Sequence, residues 1–477
     1  MSADLCYLSA TRALEMFRTK ALSPVELLDA QIKRTEAVNP AVNAVVMNYF
    51  DEAKEQARKA EQAYMNGGAR ILEGLTLAVK DEHNIAGKIT TNGSLLLQSN
   101  VATYTDPICE RTIEAGAIVH ARTSTPEFSA HYATWSKLWG ATRNPWNLKY
   151  HVGGSSGGSG AALASGMTTL ATGSDIAGSI RMPAAQNGIV GFKPPHGRVP
   201  KFPPWNLVHY YSDGPMARTV QDTILLENVI AGPHRCDMNS LKPKLELPTS
   251  FDSIKGMRIA YSVDMGGKAI DATVRANTLE VIALLRNLGA QVNEVDIGWK
   301  EVDANEAGLT YIGYMFAGML DLRFGEDPQF DELATSYVKH LVSIGKKITQ
   351  KDFLRSLSYE AFMYDCVRRI FENHDLLICP TMSMASLHAE ICYSNEQPLI
   401  DGRRETSPVG PGLTVYFNTL SRCPVLSVPS GFDENNVPTG IQIIGPTYED
   451  ASVFRLGLAL EQAMPRLFDE AIRPAFA

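Results

Sequence analysis

Residues 151–166 read HVGGSSGGSGAALASG, a run of small residues set between apolar, periodic sequence on both sides. Glycine and serine at this density let one backbone approach another closely and turn sharply, which points to a tight turn packed inside a core. A flexible linker fits poorly with apolar flanks. A Walker-type phosphate cradle needs Gly-Lys-Ser/Thr after its spacer, and the run holds no lysine. The dinucleotide fingerprint needs a third glycine that Gly158-Ser159-Gly160-Ala161-Ala162-Leu163 lacks. Gly154-Ser155-Ser156-Gly157-Gly158 formally satisfies the nucleophile elbow around Ser156. That motif also needs an acid and then a histidine downstream, and His196, His209, His234, His340, His374 and His388 come later in no distinctive setting.

A better reading joins the run to the segment after it. Ser155 is followed 24 residues later by Ser179 in GSDIAGSIRMPA, 173–184. Ala177 and Gly178 lead straight into that serine. A turn of small residues can aim several N–H groups at one spot, as an oxyanion hole requires. A serine placed just after such a turn, at a helix start, can attack a carbonyl whose oxygen rests on those donors.

The rest of the chain predicts an α/β fold. Ser23-Pro24-Val25-Glu26 is a helix start, with serine at the N-cap, proline at the first helical position and glutamate two further on. A polar helix is expected over 51–66. GLTLAVKDE alternates as a strand that ends on Lys80, AIVHAR (117–122) comes after a helix near 108–115, and MTTLATGSD (167–175) reads as a strand broken at Gly173. GMRIAYS (256–262), a helix over 271–288 and AQVNEVDI (290–297) read as a βαβ unit, with Val274, Val281, Leu284 and Leu288 as the apolar face and Gly289 at the C-terminal cap. DLLICPT (375–381), PVLSVPSG (424–431) and GIQIIGP (440–446) read as buried strands, and 450–464 as a closing helix. Strands interleaved with helices imply one large domain over 1–477, its central sheet mixed, mostly parallel and twisted, with helices on both faces. Within it, 1–66 supplies N-terminal helices, 70–230 the core carrying the lysine and serine motifs, and 303–372 a helical, cap-like region.

The bulk numbers exclude several classes. The 477 residues are 45% hydrophobic and 20% charged, with net charge −8, so no attraction to nucleic acid or anionic membrane is expected. Cys6, Cys109, Cys236, Cys366, Cys379, Cys392 and Cys423 are scattered and form no C-x-x-C, which suits reduced thiols in the cytoplasm. Asp4 comes early and no basic stretch precedes an apolar run, so no signal peptide is expected. No segment offers about 18 consecutive apolar residues, the length a membrane span needs. Glu82 and His83 come just after Lys80 without the spacing of a zinc motif, and no metal or cofactor is expected.

GGSSGGSGAALASGMTTLATGSDIAGSIRMPA, 153–184, resembles the long motif of the amidase signature family. LAVKDEHNIAG (77–87), TSTPEF (123–128), GATRNPWN (140–147), GFKPPHGRVP (191–200), GPMARTVQD (214–222) and the strands PVLSVPSGF and GIQIIGP resemble it too, so the likeness spans nearly the whole chain and is thinnest over 230–375. The resemblance implies Lys80 as catalytic lysine, Ser155 as the bridging serine behind a cis peptide bond, and Ser179 as nucleophile. The backbone N–H groups of Ile176, Ala177, Gly178 and Ser179 match the oxyanion hole. Ala177 stands where the family more often has glycine, and alanine disfavours positive φ. Ser129 and His131 come after the segment that lines the family's acyl pocket, and Trp135, with Trp139 and Tyr132, is a candidate for an aromatic wall.

These residue types suit amide cleavage. A serine hydroxyl is a poor nucleophile until a base takes its proton. A lysine, ordinarily near pKa 10.4, serves as base only where burial lowers that value, by up to about 3–5 units. The expected function is hydrolysis of small aryl or aliphatic amides through a seryl acyl-enzyme. Carbamates and esters are alternative substrates of the same machinery. The ammonia-releasing subunit of a tRNA-dependent amidotransferase is an alternative of another class, and a non-catalytic binding module is a third reading. The partner expected is the small amide or carbamate substrate itself, with no nucleic acid and no membrane, and a homodimer is an admissible assembly.

Overall fold

The structure, a computed structural model, describes residues 5–299, 304–391, 393, 397–405, 407 and 410–476. Asp4, Cys392 and the first residue of the 303–372 region lie outside them.

Eleven strands build the central sheet: β1 (Val45–Asn48), β2 (Thr76–Lys80), β3 (Ile118–Thr123), β4 (Leu170–Asp175), β5 (Val190–Lys193), β6 (Ser212–Ala217), β7 (Arg258–Tyr261), β8 (Gln291–Glu294), β9 (Leu376–Pro380), β10 (Val425–Phe432) and β11 (Pro438–Ile444). Their order across the sheet is β1-β3-β2-β4-β6-β5-β10-β11-β9-β7-β8. The sheet is mixed, as expected, but the balance differs: four of its ten pairings are parallel and six antiparallel. Two causes are visible. β10 and β11 are joined by residues 433–437, too short for the crossover a parallel pair needs. β5 and β6, with sequences VGFK and SDGPMA, carry the glycine and proline that strands usually avoid, so local sequence does not mark them as strands, and both run antiparallel to their neighbours at the sheet's centre.

β4 does not break at Gly173, which pairs with Gly214 on β6. A Cβ at Gly173 would lie 2.7 Å from Met216 Sδ and 2.8 Å from Ile180 Cγ1, so this glycine answers close packing and not a turn. The βαβ reading holds: β7 and β8 pair in parallel across the helix Ala272–Asn287. Val274, Val281, Ile282 and Leu285 form its buried face, with Leu284 and Leu288 partly covered.

At the start, Ser23 Oγ accepts from Glu26 N at 3.1 Å and Glu26 Oε2 accepts from Ser23 N at 2.8 Å, so helix Pro24–Val42 opens with the expected reciprocal cap. Most of the described part of 304–371 is helical, and one segment, Gly313–Ala317, winds as a π-helix. No helix among the described residues is long and apolar enough to cross a membrane.

Candidate active site

Lys80 is the last residue of β2, and every residue of that strand is buried. The parallel pairing of β2 with β4 aligns Leu77 with Leu170 and Ala78 with Ala171, a register that brings the lysine beside Gly173, one residue before Ser174, with two strands between it and the sheet edge. Its side chain has no solvent contact. Its Nζ lies 2.7 Å from Ser155 Oγ, 2.7 Å from Ser174 Oγ and 2.9 Å from Glu82 Oε2. Burial drives the amine below the ordinary lysine value, against the pull of the Glu82 carboxylate. Burial alone would raise Glu82, but Lys80, Lys201 and His83 together bring it down to about 2. The partners therefore pull in opposite senses, since an ionised Glu82 favours a charged Lys80. The lowered direction holds for Lys80 because its own desolvation is complete and Lys201 adds a second positive charge nearby.

Ser155 follows a cis peptide bond with Gly154. A Cβ at Gly154 would lie 2.6 Å from His131 O, so the turn is pressed against the 131–133 backbone. Helix Gly157–Ala164 begins directly after it. Two contacts lace this turn to β4 and to Ser179: Ser156 N donates to Ser179 O at 3.0 Å, and Ser174 N donates to Ser156 Oγ at 3.2 Å. Ser156 thus spends its hydroxyl on the backbone, which suits scaffolding and leaves the elbow reading without support.

The 176–180 turn wraps around one carboxylate. Asp175 Oδ1 accepts from Gly178 N at 2.8 Å, and Oδ2 accepts from Ile180 N at 3.1 Å and Arg181 N at 3.4 Å. Arg181 holds the same carboxylate through Nε at 2.9 Å and a terminal nitrogen at 2.8 Å, with no solvent contact at either side chain. Burial works to raise Asp175, and Arg181 and Asn418 outweigh it, so the carboxyl stays below its usual range. The N–H of Gly178 is therefore committed to the turn and cannot serve as an oxyanion donor as expected. The N–H groups of Ile176, Ala177 and Ser179 have no protein partner among the described residues. The positive φ falls on Gly178, at 121°, and not on Ala177, so alanine at 177 carries no conformational cost of that kind.

Ser155, Ser174 and Ser179 open onto one cavity of about 280 Å³. Its apolar wall includes Phe128, Ile176, Trp205, Phe316, Leu320 and Phe324, and Glu82, Lys201 and Tyr211 form a polar patch. The 303–372 region thus supplies one wall. Ser129 lines the cavity, whereas His131 and Trp135 do not. Phe128 and Ser129 both take positive φ, 52° and 56°, and the chain turns away beyond them. His131 Nδ1 accepts from Ala133 N at 3.0 Å and its ring stacks on Tyr132. Trp135 pairs with Ala141 in a short ladder and packs edge-on against Tyr337. Both line a separate cavity with Arg143 and His151. Trp139 and Tyr132 are not in the first cavity's wall either; the Trp139 indole donates to Asp81 at 3.3 Å.

Ser174, Glu82, Tyr211, Lys201 and Asp213 are neighbours of the site that the sequence left unassigned. Ser174 was legible in principle, because it lies on the strand beside the lysine strand. Glu82 lies two residues beyond Lys80 in the chain, and Tyr211, Lys201 and Asp213 reach the site through tertiary packing. Glu82, His83 and Asp213 together resemble a metal-ligand set. Lys201 Nζ already lies 2.8 Å from Asp213 Oδ1, so an ammonium stands where a cation would bind.

A serine on a donor-lined turn, a second serine and a buried lysine at 2.7 Å from it carry the groups that acyl transfer can use. The amidase family model matches residues 26–454. The chain belongs to the amidase signature family. This amidase is a hydrolase of carbon–nitrogen bonds, and two kinds of curated relative resemble it about equally. It is 31% identical to an acylamidase of Rhodococcus erythropolis over 97% of this chain and 96% of the relative. It is also 31% identical to a glutamyl-tRNA(Gln) amidotransferase subunit of Carboxydothermus hydrogenoformans, over 96% of this chain and 98% of that one. A bacterial aryl acylamidase of the amidase signature family superposes with TM-score 0.90 at 28% identity, covering 96% of each chain. A 6-aminohexanoate cyclic dimer hydrolase complexed with substrate gives TM-score 0.85 at 27% identity, over 98% of this chain and 99% of that one.

Proposed function

We propose that this amidase cleaves linear amides of small aryl or aliphatic acyl groups through an acyl-enzyme on Ser179. Neutral Lys80 takes the proton of Ser155 as Ser155 takes that of Ser179, whose Oγ attacks the acyl carbon. The oxygen of the tetrahedral intermediate rests on the N–H groups of Ile176, Ala177 and Ser179. One such donor is worth about 3–4 kcal/mol in related sites. Lys80 then returns the proton through Ser155 to the leaving nitrogen, the carbon–nitrogen bond breaks and the amine departs. Water then attacks the acyl carbon as the relay takes its proton, the bond to Ser179 Oγ breaks, the relay returns the proton to that oxygen and the acid departs. Carbamates and esters form the same kind of intermediate and are secondary substrates.

The observation that carries this reading is the 2.7 Å contact between a solvent-free lysine amine and Ser155, on the wall of the cavity that also exposes Ser179. The apolar wall of Phe128, Trp205, Phe316 and Phe324 favours an aryl or aliphatic acyl group over the polar side chain of glutamine. His131 and Trp135 line a different cavity and do not shape this pocket. The amidotransferase subunit is the second reading, favoured by the relatives of that name. Anilides, aliphatic amides, aryl esters, carbamates and glutamine, assayed with the purified chain and with Ser179→Ala, test the proposal. Turnover of anilides by the chain alone, abolished in Ser179→Ala, is expected. Near-normal turnover in that variant refutes the nucleophile, and activity on glutamine only, with gel filtration showing dependence on a partner, supports the second reading.

A further inference from the structure

Glu82 has no task in the relay above, yet its carboxylate is the most heavily engaged group beside Lys80. Its Oε2 lies 2.9 Å from Lys80 Nζ and accepts from Ser174 Oγ at 3.0 Å and from the hydroxyl of Ser129, and Oε1 accepts from the hydroxyl of Tyr211. The Lys201 amine sits 3.5 Å from the centre of the Tyr211 ring and 2.8 Å from Asp213 Oδ1. Asp213 Oδ1 also faces His83 Nε2 at 3.0 Å, and His83 Nδ1 faces Thr172 Oγ1 at 2.9 Å. Thr172 Oγ1 in turn accepts the Lys80 N–H at 3.1 Å. Two carboxylates and two lysine amines thus share one patch beside the cavity, with Glu82 and Lys201 in its wall.

We propose that Glu82 and Lys201 are opposed positioning residues that set the protonation of Lys80, and with it the pH range in which the enzyme works. The proposal rests on Lys80 being the base. A carboxylate at 2.9 Å holds the proton on the amine, so without it the amine becomes neutral at lower pH. Lys201 acts in reverse, by adding positive charge and by taking up the negative charge of Asp213. The other charged groups around Lys80 are already committed. From β3, Arg122 spends its guanidinium on the carbonyls of Lys80 and His83 and on Thr90 Oγ1. On β4, Asp175 is paired with Arg181. Asp81, next to Lys80 in the chain, is turned to Thr91 and Trp139. Glu82, in direct contact, and Lys201 with its partner Asp213 are the charged groups left to tune the amine.

The test is kcat/KM against pH for a non-ionising anilide, whose acid limb reports the essential base of the free enzyme. Glu82→Gln is expected to move that limb to lower pH by about 1–3 units, the range for losing an opposite charge at this distance. Lys201→Gln is expected to move it to higher pH by a smaller amount, and Glu82→Asp, which keeps the charge, to leave it closest to wild type. A loss of packing would lower kcat at every pH without moving the limb. An unmoved limb in Lys201→Gln, or displacement of both variants in the same direction, overturns the proposal even if Glu82→Gln fails to fold. Substantial activity with an unchanged acid limb in Lys80→Ala would instead remove the base assignment itself, which separates the two failures.

Discussion

Asp175→Asn tests whether one carboxylate builds the turn that presents Ser179. The side chain accepts six hydrogen bonds: three from the backbone of Gly178, Ile180 and Arg181, two from the Arg181 guanidinium and one from Asn418 Nδ2 at 2.8 Å. Each oxygen takes three of them, so an asparagine amide points its own NH₂ at three donors whichever way it is flipped. Arg181 keeps only neutral acceptors, Thr414 O at 2.9 Å, Gln442 Oε1 at 2.6 Å and Asn418 Oδ1 at 2.6 Å. Breaking a buried ion pair at one end costs about 3–5 kcal/mol. With an unfolding entropy of about 2.1 cal/mol/K per residue, a chain of 477 residues loses roughly 1 °C of Tm per kcal/mol, so a drop of about 3–5 °C is expected. Because the depressed carboxyl contributes above its ordinary pKa and loses that contribution only as pH falls through its folded value, the comparison belongs near pH 7. Loss of one aligned donor predicts a fall in kcat of about 10²–10³. Differential scanning fluorimetry and anilide turnover measure both. Wild-type Tm together with wild-type kcat would refute the claim that this carboxylate shapes the turn.

Three further outcomes follow from local geometry. Gly178→Ala places a methyl 1.9 Å from Thr414 Oγ1 at a φ of 121°, so activity and Tm should both fall; adding Thr414→Gly should recover part of the Tm, because it removes the clash and not the strained φ. Glu227 is buried with both carboxylate oxygens unpartnered among the described residues, and burial, reinforced by Asp450, holds its carboxyl well above the usual range. The folded state then binds more protons than the unfolded one, so stability falls as pH rises above the ordinary glutamate value. Glu227→Gln should accordingly raise Tm at pH 8–9, by a margin that vanishes near pH 4, as thermal scans across pH would show (about 4.3 being the unperturbed value). Ser174→Ala removes a hydroxyl 2.7 Å from Lys80 Nζ and 3.0 Å from Glu82 Oε2, and should lower kcat more than it raises KM, as steady-state kinetics would show.

Much of the fold was legible because its signals are local. The cap at Ser23 and Glu26, the alternation ending on Lys80 and the βαβ unit around the helix Ala272–Asn287 each rest on neighbours within a few positions. β5 and β6 were not legible because their glycines answer a tertiary demand: a Cβ at Gly214 would lie 2.4 Å from Phe192 O, and one at Gly191 2.7 Å from Ile180 Cγ2. The site divides in the same way. Ser155 and Ser179 lie in a motif of fixed spacing and Lys80 ends a readable strand. Lys201 and Tyr211 reach the cavity from loops whose approach no local pattern records. His131 and Trp135 were misplaced because two residues of positive φ, Phe128 and Ser129, redirect the chain two residues before His131 and six before Trp135.

Which hydroxyl becomes covalently bound is the most direct question to put to this enzyme. A fluorophosphonate incubated with the native protein, followed by proteolysis and peptide mass spectrometry, answers it. One adduct per chain, on Ser179, is the predicted result, with labelling strongly slowed in Lys80→Ala. An adduct on Ser156 or Ser155, or equal labelling of Ser179→Ala, contradicts the account.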